Sequence, residues 1–283
     1  MQSQKKYKPT FSIEFFPPKT EEGKAKLRET REELAGLNPA YISVTYGAGG
    51  STQQGTLDTV LEIKEAGIDA APHLTCVGST KDNIRELLQT YIDKGIHRIV
   101  ALRGDMPSGM REMGELRYAN ELVEFIRAET GDHFHIEVAA YPETHPQAKS
   151  ARADLDNFKR KVEAGANSAV TQYFYNADAY FHFVDDCEKM GLDIPIVPGI
   201  MPVTNYQNLA RFSDMCGAEI PRWLRKHLEN FGDDAASLRD FGQQVTIQLC
   251  KTLLKQGAPG LHFYSMNRVE PTQVIWRELL LKS

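Results

Sequence analysis

Cysteine is scarce and scattered in this chain. The 283 residues include four cysteines, which are Cys76, Cys187, Cys216 and Cys250. They lie far apart and form no C-x-x-C pair, so the sequence argues against a structural zinc site. We interpret all four as reduced, mostly buried thiols of a cytoplasmic protein.

Long apolar runs and an excess of positive charge are also lacking. No apolar stretch approaches the roughly 18 residues that suggest a membrane span, and no apolar region of a secretory signal follows the polar residues 1–10. The formal net charge of -5 argues against a nucleic-acid partner, which requires a basic patch. With 41% hydrophobic and 25% charged residues, the composition is typical of an ordinary soluble globular protein.

Strand-like apolar runs recur along the chain, most of them about 30 residues apart, which is the length of a βαβ unit. They begin near residues 11, 41, 70, 98, 136, 168, 194 and 261, and helical stretches are predicted at 20–37, 81–94, 119–130, 154–165, 177–191 and 205–216. Asp154 is expected to cap the helix at 154–165. The alternation predicts one α/β domain over residues 1–283, a single (β/α)8 TIM barrel with a polar tail at 1–9 and extra helices at 221–231 and 234–256, before the eighth strand.

An open doubly wound sheet is the alternative architecture. It requires a glycine-rich phosphate-binding loop after an early strand. The nearest candidate is Gly-Ala-Gly-Gly-Ser-Thr at 47–52, where Thr52 stands at the position of the third glycine. We therefore favour the closed barrel and interpret this segment as one of its loops.

The first predicted strand carries a carboxylate where a buried strand is normally apolar. Phe11, Ile13 and Phe15 share one face of this strand. Ser12 and Glu14 share the other face. An inward carboxylate near the end of a strand would be desolvated and inclined to keep its proton near neutral pH, which suits a general acid. A glutamate on an edge strand facing water is the simpler interpretation of this strand alone.

Polar and aromatic side chains also stand at the carboxyl ends of the other predicted strands, where the chemistry of such barrels gathers. They include Tyr46, His73, Arg103, Asp105, Tyr141, His145, Gln172, Tyr264 and Arg268. Each has a simple structural explanation by itself, such as a packed core histidine or a local ion pair. Together they predict a polar, aromatic site without a metal-ligand set or an obvious nucleophile, which suits a flat conjugated ligand.

The predicted helix at 154–165 adds a basic face near this site. Asn157, Arg160 and Lys161 fall on one face at i, i+3 and i+4, beside Asp154. Such a face is suited to a pyrophosphate, although a charged helical face is more often simply solvated.

Six motifs in order resemble the methylenetetrahydrofolate reductase family, and the similarity runs from about Phe11 to the end of the chain. The motifs span 12–19, 43–48, 71–76, 101–105, 139–143 and 267–268. The resemblance implies a (β/α)8 barrel that carries FAD and reduces methylenetetrahydrofolate to methyltetrahydrofolate with NADH or NADPH. The product of this family supplies the methyl group for methionine synthesis.

The resemblance also implies roles for individual residues. Glu14 corresponds to the general acid, Asp105 to an aspartate between flavin and pterin, and Gln172 to an amide that meets pterin and nicotinamide. Thr45 is expected to face the nicotinamide. Flavin contacts are expected from Tyr46, Ala48, His73, Arg103, Gly104, Asp105, Tyr118, Ala119, Tyr141, His145 and Ala148, and phosphate and ribose contacts from Asp154, Asn157, Arg160 and Lys161.

The folate's aryl-glutamate end is expected to meet Phe212, Tyr264 and Arg268. Asn208 stands where the family pattern leads us to expect a glutamine, so we expect its contact to be lost or bridged by water. The family suggests a homo-oligomer. The regulatory domain of eukaryotic relatives does not follow the barrel, so control by S-adenosylmethionine is not expected.

Three other functions remain compatible with such a barrel. Another flavin enzyme, similar to proline dehydrogenase, would not use the folate end at Phe212 and Arg268. A cofactor-free lyase with a Schiff-base lysine is disfavoured because no lysine stands at a strand end. A folate-binding module without catalysis leaves Glu14 unexplained. A flavin spectrum of the purified protein would exclude the last two.

Overall fold

Parallel strands form a nearly closed ring in the computed structural model, which describes residues 1–46, 53–105 and 114–281. The strands are β1 (Thr10–Phe15), β2 (Tyr41–Val44), β3 (Ala70–Thr75), β4 (Arg98–Leu102), β5 (His135–Ala140), β6 (Ser168–Thr171), β7 (Ile196–Val197), β8 (Gly199–Ile200) and β9 (Gly260–Tyr264). Their order is β7-β6-β5-β4-β3-β2-β1-β9-β8, with every pairing parallel. The predicted α/β barrel is confirmed.

The seventh barrel strand is divided by Pro198, which has no N–H to donate to the ladder. β7 pairs with β6, and β8 pairs with β9. Two hydrogen bonds keep the interrupted strand attached to its neighbours. The His262 N–H donates to the Pro198 carbonyl at 3.0 Å, and the Gly199 N–H donates to Thr171 Oγ1 at 2.9 Å. β9 is therefore the eighth strand of the barrel.

Helices surround the ring of strands. They are α1 (Glu21–Ala35), α2 (Gln53–Glu65), α3 (Lys81–Asp93), α4 (Ala119–Thr130), α5 (Ala151–Glu163), α6 (Ala177–Lys189), α7 (Tyr206–Cys216), α8 (Arg222–Asn230), α9 (Ala235–Gln256) and α10 (Thr272–Glu278). The extra helices predicted before the last strand are confirmed as α8 and α9, whereas α2 and α10 are additions to the prediction. Within the described ranges, no helix has both the length and the apolar character needed to span a bilayer.

The predicted cap of α5 is wrong. The helix begins at Ala151, and its cap is Ser150, whose side chain accepts a hydrogen bond from the Ala153 N–H at 3.1 Å. Asp154 instead accepts a hydrogen bond from the His145 N–H at 2.8 Å. A serine caps a helix as well as an aspartate does, and Asp154 holds the preceding loop.

The alternation of β1 divides its side chains between two environments. Phe11, Ile13 and Phe15 are buried in the large core between the strands and the helices, where the Phe11 ring packs edge-on against Trp276 at 5.9 Å. Glu14, on the other face, lies inside the barrel and pairs in register with Tyr264 of β9.

The residues predicted as a polar tail are attached to the barrel. Gln4 is buried, its Nε2 donates to the Ile194 carbonyl at 3.2 Å, and its Oε1 accepts from the Ile196 N–H at 2.8 Å. Ser3 Oγ donates to Glu188 Oε1 at 2.6 Å. This segment therefore packs against β7 and α6, because the side-chain amide of Gln4 satisfies backbone groups near the start of the interrupted strand.

Candidate active site

Glu14 lies between two histidines inside the barrel, near the carboxyl ends of the strands. Its Oε2 is 3.3 Å from His73 Nε2 and 3.6 Å from His262 Nε2. His73 lies on the inward face of β3, and His262 belongs to β9. The other ring nitrogen of His262 is 2.7 Å from Ser12 Oγ. A carboxylate, two imidazoles and a hydroxyl are thus brought together from three strands.

The predicted protonation of Glu14 is wrong. Burial raises the pKa of this carboxyl, and its side chain is only 18% exposed. Contact with the His262 and His73 imidazoles, and the positive charge that these rings carry when protonated, lower the pKa by more, to about 2. The expectation treated Glu14 as an isolated buried acid, whereas two partners from distant parts of the sequence stabilise its ionised form.

Tyr264 packs beside this cluster. Its hydroxyl donates to the Thr171 carbonyl at 2.7 Å, and its ring contacts those of His262 at 5.3 Å and Tyr173 at 6.4 Å. A Cβ at position 199 would lie 2.7 Å from Tyr264 Cε2 and 2.2 Å from the Thr171 carbonyl oxygen, so only glycine allows this approach. Burial raises the pKa of Tyr264 well above its usual value and keeps the phenol neutral.

Gln172 follows β6 and directly precedes Tyr173, which contacts α7. Its Oε1 accepts from the Tyr173 N–H at 3.0 Å, and the Tyr173 hydroxyl is 3.0 Å from Ser213 Oγ on α7. This contact draws α7 to the mouth of the barrel. On the same helix Phe212 is partly buried and Asn208 is exposed.

Arg268 is exposed in the segment after β9. The neighbouring Asn267 fixes this segment, because its side chain accepts from the Phe16 N–H at 3.0 Å and donates to the Phe16 carbonyl at 2.8 Å. Ser265 Oγ donates to the Glu14 carbonyl at 2.7 Å. Arg268 therefore follows a segment tied to the end of β1.

The segment after β4 presents Arg103 and Asp105 at the mouth. Arg103 Nη2 donates to Gln147 Oε1 at 2.6 Å, and Asp105 is exposed. Gly104 has a φ of +87°, and a Cβ there would lie 2.8 Å from Val77 Cγ1. Glycine is required at this position by both the backbone conformation and the close packing.

The segment after β5 joins Tyr141, His145 and Asp154. The Tyr141 and His145 rings meet edge to face at 4.6 Å, and Asp154 anchors the backbone of His145. Burial raises the pKa of Tyr141 to about 12 and lowers the pKa of His145. Ala148 donates its N–H to the His145 carbonyl at 2.9 Å. A cavity of about 370 Å³ borders Tyr141 and Asp154.

The basic face of α5 is divided in the structure. Asn157 and Arg160 are exposed and joined by a 3.1 Å hydrogen bond. Lys161 instead turns toward the barrel wall, where its Nζ donates to the Ala139 carbonyl at 2.5 Å. Burial lowers the pKa of Lys161 to about 8, and no carboxylate of the described ranges forms an ion pair with it.

The remaining residues of the predicted flavin site lie just after β2 and at the start of α4. Thr45 Oγ1 is buried and has no hydrogen-bond partner among the described residues. Tyr46 is partly buried, and Ala48 lies outside the described residues. Tyr118, which is 55% exposed, precedes α4, whose first residue is Ala119.

Two members of the Glu14 cluster, Ser12 and His262, are absent from the sequence-predicted site. A signal for both was available, because strand alternation puts Ser12 on the face of Glu14 and His262 on the face of Tyr264. That both faces meet inside one closed ring follows only from the pairing of β1 with β9.

Known proteins resemble this chain along nearly its full length. The family model described as methylenetetrahydrofolate reductase matches residues 1–280. The 5,10-methylenetetrahydrofolate reductase of Escherichia coli (strain K12) is 43% identical over 271 residues, which cover 95% of this chain and 90% of that protein. Methylenetetrahydrofolate reductase (NADH) 1 of Arabidopsis thaliana is 38% identical over 271 residues, which cover 91% of this chain and 46% of the plant protein.

A solved structure shares the fold at lower identity. It is an uncharacterized protein from Clostridium thermocellum that binds two copies of 5-methyl-5,6,7,8-tetrahydrofolic acid. The two structures superpose with a TM-score of 0.67 and 19% identity, over 98% of this chain and 97% of that one. The family match and the identities to the named reductases together show that this chain belongs to the methylenetetrahydrofolate reductase family.

Proposed function

We propose that this protein reduces methylenetetrahydrofolate to methyltetrahydrofolate, with FAD as cofactor and NADH or NADPH as electron donor. The observation that carries the proposal is Glu14, a largely buried carboxylate that two imidazoles contact at the mouth of the barrel. Membership of the reductase family supports the same reaction. The product would supply methyl groups for methionine synthesis.

Three features of the chain fit FAD. Thr45 Oγ1 is a buried polar atom without a partner among the described residues. Lys161 is a partly buried cation without an ion pair there, and a pyrophosphate would neutralise it. Gly104 keeps the backbone after β4 free of a side chain. When bound, FAD would supply the transfer of hydride from the nicotinamide to the folate.

The residues proposed to hold FAD surround these features. On the flavin side they are Thr45, Tyr46, Ala48, His73, Arg103, Gly104, Asp105, Tyr118, Ala119, Tyr141, His145 and Ala148. On the phosphate and ribose side they are Asp154, Asn157, Arg160 and Lys161. Thr45 would also face the nicotinamide. Charge-assisted bonds from Arg160 and Lys161 would orient the pyrophosphate.

Glu14 is proposed to deliver the proton that the folate needs. Protonation of N10, the nitrogen that closes the five-membered ring, opens that ring to an iminium cation. Because its pKa is about 2, Glu14 is a carboxylate at neutral pH in the free protein. Bound ligands would remove the remaining water from the carboxylate and raise its pKa, so that a proton from a neighbouring imidazole moves to Glu14 and then to N10.

The other charged and polar groups at the mouth would bind and orient the folate. Asp105 is exposed at the end of β4, and its carboxylate would stabilise the cation. Gln172 would meet the pterin. The aryl-glutamate end would contact Phe212, Tyr264 and Arg268, with Asn208 at the edge of this surface.

An anaerobic assay of the purified protein tests the proposal. We expect a flavin absorption spectrum, bleaching of that spectrum by NADH or NADPH, and recovery of the spectrum when methylenetetrahydrofolate is added, with one methyltetrahydrofolate formed per nicotinamide oxidised. Parallel assays with each nucleotide determine the preferred donor. Failure to form methyltetrahydrofolate with either donor, after addition of free FAD, would contradict the proposed function.

A further inference from the structure

A second set of polar side chains fills the barrel interior below Glu14, toward the amino ends of the strands. Its members are Tyr41, Arg98, His135, Glu137 and Ser168. Tyr41, Glu137 and Ser168 are each no more than 3% exposed. The proposed reaction does not use these residues, and a buried carboxylate such as Glu137 is costly unless it is hydrogen-bonded.

Glu137 is bonded on both oxygens. The Tyr41 hydroxyl donates to Oε1 at 2.6 Å, and Ser168 Oγ donates to Oε2 at 2.9 Å. The Ser168 hydroxyl is also 2.8 Å from His135 Nε2. Tyr41, Glu137, Ser168 and His135 therefore form a continuous line across β2, β5 and β6, in which each neighbouring pair shares a hydrogen bond.

The same line reaches the Glu14 cluster through Tyr41. The Tyr41 ring stacks on the His262 ring at 6.2 Å with an interplanar angle of 23°. Ser12 is the register partner of Tyr41 on the neighbouring strand, and its side chain points its hydroxyl toward the Tyr41 oxygen, which partly opposes the increase in the pKa of Tyr41 that burial causes. Ser12 Oγ in turn is 2.7 Å from His262 Nδ1.

We propose that this line carries the proton for Glu14 from solvent at the amino end of the barrel, in the order His135, Ser168, Glu137, Tyr41, Ser12, His262. The inference rests on the proposed role of Glu14 as the acid. The 3.6 Å separation of His262 Nε2 from Glu14 Oε2 is the link that must shorten during transfer.

The entry point is the partly exposed His135, the first residue of β5. Burial and the nearby charge of Arg98 lower the pKa of this ring to about 4, so it is neutral at neutral pH. A neutral imidazole relays a proton by accepting it on one nitrogen and releasing it from the other. The Arg98 guanidinium lies 4.3 Å from the centre of the Tyr41 ring, where it would stabilise negative charge on Tyr41 or Glu137.

The reaction requires such a supply. Reduction of each folate consumes one hydride and one proton, and ligands at the mouth would cover the direct approach of water to Glu14. Ser168 and Tyr41 both donate to Glu137 in the resting structure, so the Tyr41 and Ser12 hydroxyls must turn toward Ser12 and His262 when Glu137 takes up a proton and passes it on. Once they have turned, each group accepts one proton and passes one on, so the net change is one proton taken from a solvent acid at His135 and one added to N10. No electrons move along the line.

Tyr41→Phe is the first test, because it removes the central hydroxyl and keeps the ring that stacks on His262. In single-turnover experiments on the holoenzyme, we expect oxidation of the reduced protein by methylenetetrahydrofolate to slow by about 10- to 100-fold. The solvent deuterium isotope effect on this step should increase. Reduction by the nicotinamide, which needs no proton at Glu14, should keep its rate.

Tyr180→Phe is the matched control. Tyr180 is fully buried, and its hydroxyl donates to the Ile196 carbonyl at 2.7 Å, outside the line. This variant also loses one buried hydroxyl, so it measures the effect of lost stability alone, and its isotope effect should equal that of the unmodified protein. Glu137→Gln is a second break in the line that retains side-chain size, and it should reproduce the effect of Tyr41→Phe.

A further measurement does not depend on catalysis. Glu14, Tyr41 and Tyr264 all face the His262 ring, whose titration can be followed through its ring nitrogens by ¹⁵N NMR. Tyr41→Phe should move this titration, and Tyr180→Phe should not.

Normal rates and isotope effects in both Tyr41→Phe and Glu137→Gln, or a His262 titration that Tyr41→Phe leaves unmoved, would overturn the proton path. An unmodified protein that forms no methyltetrahydrofolate would contradict the proposed function, while the NMR result would still decide whether the line is coupled to His262.

Discussion

The two faces of the barrel wall differ in their chemistry. The outer face of β1 is apolar, and Ile13 is fully buried against the helices. The inner face of the same strand carries Ser12 and Glu14, which belong to a polar cluster. Barrels of this type usually fill their interior with branched apolar side chains. The difference indicates that the outer interface stabilises the fold, which leaves the interior free to hold charges suited to chemistry.

Glu14→Gln, on the inner face, should have the largest effect on the reaction rate. The amide keeps the size of the side chain but cannot donate a proton usefully to N10, so oxidation of the reduced protein by methylenetetrahydrofolate should slow by about 10²- to 10⁴-fold. Reduction by the nicotinamide should stay near normal, and stopped-flow absorbance separates the two steps. Glu143→Gln is a matched control, because this carboxylate is also partly buried at the mouth and accepts a backbone bond from Glu219. Normal folate-dependent oxidation in Glu14→Gln would remove Glu14 from the mechanism.

Ile13→Ala should have the opposite effect, because Ile13 is the outward neighbour of Glu14. We expect a loss of about 2–5 kcal/mol in the free energy of unfolding, from the lost burial and the cavity left behind. The folate-dependent rate of the folded protein should change little. Urea unfolding and stopped-flow rates measure both quantities. Ser12→Ala is the inward comparison and should slow the folate step more than Ile13→Ala does; the reverse order would contradict this division of the wall.

The dependence of stability on pH tests the charge on the inner face. Because folding lowers the pKa of Glu14 from 4.5 to about 2, its contribution is fully present above the unfolded pKa and is lost as the pH falls through the folded pKa. Between about pH 5 and pH 2, the unmodified protein should lose up to about 3 kcal/mol more than Glu14→Gln. Urea unfolding of both proteins at several pH values measures this difference. Parallel stability curves would show that the imidazoles do not stabilise the ionised carboxylate.

Lys161→Met tests a residue that connects the two layers of the barrel, because its side chain extends from the outer helix α5 to the Ala139 carbonyl of β5. Loss of one charge-assisted contact of about 1.5–3 kcal/mol should weaken FAD binding by roughly 10- to 100-fold. Flavin fluorescence during titration of the apoprotein measures the dissociation constant. Lys159→Met on the same helix removes a partly exposed lysine that pairs with Glu163 and should leave binding unchanged. Equal affinities in the two variants would exclude Lys161 from the phosphate site.

Much of the fold could be predicted because the outer interface is periodic. The starts of β2, β3, β4 and β6 were predicted at residues 41, 70, 98 and 168, where the structure has them. The unpredicted helices have weaker local signals: α2 has no acidic residue in its first turn to mark its start, and α10 spans only Thr272–Glu278. The break at Pro198 became visible only with its partners, because β7 and β8 pair with different strands.

The sequence identified residues of the site more successfully than it predicted their protonation. Strand ends and family motifs identified Glu14, His73 and Tyr264, and the structure brings these three side chains to one part of the barrel. The protonation of Glu14 was predicted wrongly, because a pKa depends on partners in space. The inward direction of Lys161 was also unexpected, since helical periodicity does not specify how a long side chain bends toward a free carbonyl.

The sequence by itself determined the alternation of strands and helices, the apolar outer face and the polar residues at the strand ends, because these follow from local periodicity and burial. Only the tertiary structure decided that β1 lies between β2 and β9 and that His73 and His262 meet Glu14. Closure of the ring brings residues from opposite ends of the chain within a few ångströms. At such distances, with little water between them, hydrogen bonds and charges determine which group holds the proton.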